Sequence, residues 1–262
     1  IIEERLMKVL IKSAKILDAS SPHHNTKKDV FIENGVIKKI DFNITYPDAI
    51  QIEFKDLHIS QGWFDSSVSF GEPGFEERET ISNGLNVAAS SGFTSIAYNT
   101  NTSPYPESRA DISFILSQSK GVATSIHPKA RITINSINDK LSPMRELFEA
   151  GAISFSNHKS PIANANTLKL ALQYNNDFNG LVESFALNTD LANQGVMHEG
   201  DVSTSLGLPG IPSLAEEIQV KRDLDVLKYT GGKLHIPTIS TKNSVQLILS
   251  LIHISEPTRP YW

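Results

Sequence analysis

The sequence predicts an α/β fold: an incomplete TIM-type (β/α)8 barrel of about six βα units, with a small N-terminal β domain. Three observations predict it. From Leu57 onward, short apolar runs alternate with stretches of helical length, the pattern of repeated βα units around a parallel sheet. Glycine follows the helical stretches in Ala89-Ser90-Ser91-Gly92, Glu149-Ala150-Gly151 and Tyr229-Thr230-Gly231-Gly232, the expected C-terminal cap before a strand. Before Leu57 the chain shows the two-residue alternation of strands instead.

Taken in order, residues 9–16 and 30–40 are apolar and alternating. Asn34-Gly35, between Phe31-Ile32 and Val36-Ile37, is a two-residue hairpin signal, because both turn positions accept positive φ. A short strand is expected at residues 50–54. Barrel strands are expected at residues 58–64, 93–98, 130–135, 152–156, 181–185 and 233–239. Helices are expected between them, at about residues 78–90, 108–119, 143–150, 166–174, 213–229 and 242–248. Periodicity alone does not separate an open parallel sheet from a closed barrel. A closed barrel of this type has eight strands, so the count reads as a barrel cut short near Ile248.

Both ends carry signals of another kind. Residues 249–259 read as the in-frame translation of a transposase-type sequencing adapter, so residues 249–262 are expected to be read-through. Met7-Lys8-Val9-Leu10-Ile11 reads as a natural beginning, with Glu3-Glu4-Arg5 as a translated purine-rich ribosome-binding stretch. The expected organisation is a β-rich domain at 7–57 and a truncated barrel at 58–248.

The chain has 262 residues, is 39% hydrophobic and 20% charged, and carries a formal net charge of -5. That balance, without a Lys/Arg-rich run, gives no footprint for nucleic acid. No window approaches the roughly 18 continuous apolar residues of a membrane helix. The absence of cysteine excludes disulfides, thiolate zinc sites and a cysteine nucleophile. A cytoplasmic location is expected.

The chemistry-bearing stretch is Asp65-Ser66-Ser67-Val68-Ser69-Phe70-Gly71-Glu72-Pro73-Gly74. It resembles the metal-binding signature of dihydroorotases, D-x-H-x-H-x-R-E-P-G. Serines stand at both histidine positions and glycine at the arginine position. Residues two apart in a strand point to one side, so the family's two imidazoles share one metal, at the end of the barrel where active sites sit. Ser67 and Ser69 keep that spacing, but a neutral hydroxyl is a poor ligand for zinc.

The resemblance covers nearly all of residues 7–248. Asn101-Thr102-Ser103-Pro104 is similar to the family's N-T-x-P, which implies for Asn101 a role in holding a substrate carboxylate. Its arginine partner there is Gly71 here. Read without the resemblance, the same four residues form a turn. Residues 150–159 align with A-G-A-x-x-F-S-D-D-G, the acidic pair having become Asn157-His158. The carboxylated lysine of related hydantoinases falls on Ser156, with Lys159 adjacent but out of register. Phe185-Ala186-Leu187-Asn188 stands for H-C-E-D, in a register fixed by Leu191, Gly195, Met197 and Glu199-Gly200. Residues 206–212 and Ala215-Glu216 match a characteristic family segment. Residues 234–241 match L-H-x-x-H-x-S-T, with Thr238 at the metal-binding histidine; His235 is expected to face the other way, against a helix.

The vacated ligand positions are therefore Ser67, Ser69, Asn157, His158, Phe185 and Thr238. No catalytic residue and no cofactor is expected, although the family uses zinc. Of the remaining histidines, His158 with Glu183 and Asp190 is the candidate for a replacement divalent site. His23, His24, His58, His127 and His198 read as surface or structural, and His253 falls in the adapter-like run.

Three functions follow from the resemblance. The favoured one is a non-catalytic dihydroorotase homologue of pyrimidine biosynthesis, a structural partner of aspartate carbamoyltransferase and an oligomer of like or unlike chains. The second is an active dihydroorotase, a metal-dependent cyclic amide hydrolase, with a non-standard metal site. The third is a binding protein using the vacated pocket, polar and uncharged through Ser67, Ser69, Asn101, Asn157 and Thr238.

Overall fold

The computed structural model describes residues 7–134 and 140–255. Glu3-Glu4-Arg5, the expected strand end at Asn135 and the adapter-like residues from Glu256 onward lie outside the described residues. The chain divides into two compact units, residues 1–63 and 64–262.

The first unit is a sheet built on β1 (Lys8–Leu17). β2 (Lys27–Glu33) pairs antiparallel with β1 and with β3 (Val36–Asp41). The turn between β2 and β3 is Asn34-Gly35, with φ of 51° and 74°, as the hairpin signal requires. β4 (Ile50–Ile52) and β5 (His58–Ser60) lie parallel to β1. Leu10, Phe31 and Ile44 form the core, and the Phe31 and Tyr46 rings stack 3.8 Å apart.

A bulge in β1 between Ile11 and Ala14 turns Lys12 and Ser13 onto one carboxylate. Asp29 accepts from Lys12 Nζ at 2.5 Å, Ser13 N at 2.8 Å and Ile44 N at 2.9 Å. Burial pushes its carboxyl up, but these donors outweigh burial and hold it below the ordinary value. Because the folded value is depressed, this stabilisation is present above the unfolded carboxylate value of about 3.9. It is lost as pH falls through the lower folded value. Asp29→Ala is expected to cost about 2–4 kcal/mol at neutral pH. Urea midpoints of variant and parent should converge on acidification; a gap independent of pH would disprove this.

The second unit carries a six-stranded sheet in the order β13-β10-β9-β8-β7-β6. Its members are β6 (Trp63–Val68), β7 (Phe93–Tyr98), β8 (Ser125–Ala130), β9 (Ser154–Ser156), β10 (Leu181–Glu183) and β13 (Lys233–His235). From β7 to β13 each neighbouring pair is parallel. The helices between them are α1 (Ile81–Ser90), α2 (Arg109–Gln118), α3 (Met144–Glu149), α4 (Ala165–Asn176), α5 (Thr189–Ala192), α6 (Asp201–Leu206), α7 (Leu214–Thr230) and α8 (Lys242–Ser255). β11 (Met197–His198) and β12 (Gly210–Ile211) form a separate two-stranded ladder. The curled parallel sheet of six strands is the incomplete barrel that the sequence predicts.

Two expected strands are displaced. Residues 58–64 form two strands: β5 pairs with β1, and β6 opens the barrel sheet two residues later. The third barrel strand is β8, ending where the expected one begins. Ser125, His127 and Pro128 disguise it, since proline seldom lies inside a sheet. Pro128 nevertheless accepts from Ile153 N at 2.9 Å, so its carbonyl still serves the ladder.

The sheet's outer face is apolar. Tyr98 and Ile96 pack with Ile81, Leu85 and Ile115. Ala130, Phe155 and Val182 pack with Ile112, Leu147, Leu168 and Leu172. Alternation then turns Asn99, Lys129, Ser154, Ser156 and Glu183 to the inner face. The sequence thus builds a greasy outside wall and a polar inside wall from the same strands.

Candidate functional site

Ser67 lies near the end of β6 and Ser69 just beyond it. Their two-residue spacing does place both on one side, because Asn99 Nδ2 donates to Ser67 Oγ at 3.1 Å and to Ser69 Oγ at 3.0 Å. Ser69 Oγ in turn donates to Asn101 Oδ1 at 2.9 Å. A carboxamide therefore bridges the two positions that would otherwise share a cation. Asn99 is a site residue that the sequence reading missed. It lies just beyond β7, two residues before Asn101, and no motif marks it.

The retained family segments form the rim. Ser103 N donates to Pro73 O at 2.8 Å, joining the Glu72-Pro73-Gly74 and Asn101-Thr102-Ser103-Pro104 loops. Glu72 Oε2 accepts from Ile81 N at 2.6 Å, satisfying the first amide of α1. Glu72 therefore caps a helix.

At the end of β9, Asn157 is buried and fully engaged. Its Oδ1 accepts from Ile132 N at 3.2 Å and Thr133 N at 3.4 Å, and its Nδ2 donates to Thr133 Oγ1 at 3.0 Å. It stitches β9 to the chain leaving β8. His158 is half-buried at φ 54°, with its N donating to Ser156 Oγ at 3.0 Å. Burial pushes the imidazole below its ordinary value; Lys159, Lys129 and Arg131 push it further, against Glu183.

Glu183 is not available to a metal beside His158. Its Oε2 takes Lys129 Nζ at 2.9 Å and its Oε1 takes Ser154 Oγ at 2.7 Å. Asp190 sits exposed on α5. Among the described residues no group of three or more His, Cys, Asp or Glu side chains is placed to hold a metal ion.

Phe185 and Thr238 line a cavity of about 300 Å³ together with His198, Ile211 and Glu216. Glu216 accepts from Ser240 N at 3.0 and 2.9 Å, from Ser240 Oγ at 2.5 Å and from Thr241 N at 3.0 Å. Burial raises its carboxyl, but these donors outweigh burial and hold it below the ordinary range. Glu216 so fastens the loop after β13 to α7. His235 departs from expectation: it is exposed, and Leu234 is the residue packed on the helical core. The strand ends at His235, so strand alternation does not extend to Thr238.

The zinc of the family does not fit this donor set. Ser67 and Ser69 offer neutral hydroxyls already bound to Asn99, Asn157 is taken up by backbone amides, Phe185 offers no donor, Thr238 offers one neutral hydroxyl, and His158 is a single imidazole that belongs to no metal-ligating group of three among the described residues. Zinc requires imidazole, thiolate or carboxylate, and no step of a metal-dependent reaction can be assigned to these residues.

Comparison with known proteins gives a consistent family. Residues 58–244 match the family model described as "Dihydro-orotase-like". The dihydroorotase of Pelotomaculum thermopropionicum is 40% identical over 242 residues, which cover 92% of this chain and 56% of that protein. That of Syntrophus aciditrophicus is 34% identical, covering 98% of this chain and 62% of that protein. The chain thus spans little more than half the length of these relatives. Among solved structures, the L-hydantoinase of Arthrobacter aurescens superposes with a TM-score of 0.71 at 14% identity, covering 94% of this chain and 56% of that one. The D-hydantoinase of Bacillus sp. AR9 gives 0.69 at 19% identity, covering 94% and 55%, a likeness of fold. With the family model matched across nearly the whole barrel sheet, the chain belongs to the dihydroorotase-like family.

Proposed function

We propose that this chain is a non-catalytic dihydroorotase homologue of pyrimidine biosynthesis and a structural partner of aspartate carbamoyltransferase. The observation that carries the first half is the donor set: apart from His158, each vacated ligand position holds a side chain that is engaged elsewhere or is a poor metal ligand, and His158 belongs to no group of three metal-ligating side chains among the described residues. Dihydroorotase chemistry interconverts carbamoyl aspartate and dihydroorotate, and needs a metal to activate water and polarise the scissile carbonyl. The second half rests on the family: a member stripped of chemistry but retaining its interlocked rim suits the part of a scaffold.

The test is metal analysis and turnover on the full chain. Zinc well below one equivalent and no turnover of either substrate are expected. Stoichiometric zinc with turnover would establish instead the active enzyme that the relatives' names suggest. Co-elution with the transferase at micromolar concentration is expected for the scaffold, and clean separation would remove that part of the proposal.

One observation favours a second reading, a small-molecule binding protein. The cavity of about 300 Å³ at Phe185 and Thr238 is the size of a small ring compound and largely apolar in its walls. A thermal shift with dihydroorotate or carbamoyl aspartate would support it, and none at millimolar ligand would count against it.

A further inference from the structure

The inner wall of the barrel holds a buried ion pair that the family motifs do not account for. Lys129 on β8 is 3% exposed and Glu183 on β10 is 5% exposed, with Nζ 2.9 Å from Oε2. Ser154 on β9, the register partner of Lys129, occupies the other carboxylate oxygen. The unit therefore crosses three adjacent strands.

Its position relative to the vacated site follows from register. Tyr98 stands opposite Pro128 in the β7–β8 ladder. The next residues, Asn99 and Lys129, therefore lie side by side, one strand spacing of about 4.8 Å apart. Both turn inward, because Tyr98 and Ala130 are in the outer cores. Asn99 is the residue that bridges Ser67 and Ser69. The ammonium and the emptied histidine positions thus share one wall.

A divalent ion entering here meets a resident cation in a buried setting, and each oxygen of the nearby carboxylate already accepts a hydrogen bond. We infer that Lys129 is a metal-excluding residue: locked on Glu183, it bars divalent cations from the barrel interior independently of the lost imidazoles. The inference rests on the non-catalytic reading and deepens it. Zinc binding is closed twice over, by missing ligands and by a resident charge, so restoring the ligands alone does not reopen it.

The experiment compares two variants of the full chain. One carries Ser67→His, Ser69→His, Phe185→His and Thr238→His. The other adds Lys129→Met and Glu183→Gln. Zinc affinity is measured by competition with a chromophoric chelator, with circular dichroism confirming the fold. Neutralising the pair is expected to tighten zinc binding at least about tenfold relative to the variant that keeps Lys129. Equal affinities, whether both tight or both weak, overturn the inference. Should the methionine variant not fold, Lys129→Gln in the same background retains a donor for Glu183 and is read by the same comparison. Stoichiometric zinc with turnover in the parent would sink the non-catalytic reading itself. Equal affinities over a zinc-free parent would sink only the role of Lys129.

Discussion

Lys129→Met is expected to lower the unfolding free energy by about 3–5 kcal/mol, the cost of leaving a buried charge without its partner. Glu183 is 5% exposed, and among the described residues Ser154 supplies the other side-chain hydrogen bond to its carboxylate. Without the ammonium, Glu183 must stay charged in an apolar-backed wall or take up a proton. Against a total stability of about 5–15 kcal/mol for a typical domain, that is a large fraction. Adding Glu183→Gln should recover most of the loss, because the pair as a whole repays its desolvation only in part. Urea unfolding of the parent, the single variants and the double variant forms a complete cycle. A loss below about 1 kcal/mol for Lys129→Met would show the interior to be wet and the pair weak.

That pair also marks the limit of what the sequence discloses. The alternation of strands and helices, the Asn34-Gly35 turn and the glycine caps are local, fixed by a few consecutive residues, and they were legible. The two-residue spacing of Ser67 and Ser69 was legible for the same reason, and Asn99 verifies it by touching both. Lys129 and Glu183 lie 54 residues apart, and no local pattern links them. Only the parallel register brings them together. β8 was hidden by the same logic in reverse: Pro128 violates a local rule that the surrounding ladder tolerates. Asn157 is the subtler case. The family motif marks it as a ligand position, yet its amide oxygen accepts from the backbone at Ile132 and Thr133.

Glu72-Pro73-Gly74 has a mechanical role in the fold. Pro73 O receives Ser103 N at 2.8 Å, and a side chain at Gly74 would run into the Ser103 backbone. Glu72 caps α1, and its carbonyl accepts the Tyr98 hydroxyl at 2.6 Å. These residues hold the β6 exit, the β7 exit and α1 together whether or not a metal lies between them.

At Gly71, where the family motif has arginine, the expected result is that Gly71→Arg destabilises the protein by about 2–4 kcal/mol. The backbone there has φ 129°, a region that side chains with a Cβ rarely enter. An added Cβ would lie 2.6 Å from Phe75 O and 3.2 Å from Phe75 Cβ. Phe75 cannot simply retreat, because its N donates to Gly71 O at 3.0 Å and its O accepts from Arg78 N at 3.0 Å, closing the turn. The Gly71 N is also held, by the Tyr98 hydroxyl at 3.2 Å. Restoring the family's arginine therefore forces the turn open before the guanidinium reaches Asn101, and Asn101 Oδ1 already accepts from Ser69. Urea unfolding of Gly71→Arg, with a thermal shift against carbamoyl aspartate, reads both consequences. A variant as stable as the parent to within about 0.5 kcal/mol, or one that gains carboxylate binding, would show that the turn still accommodates the old clamp.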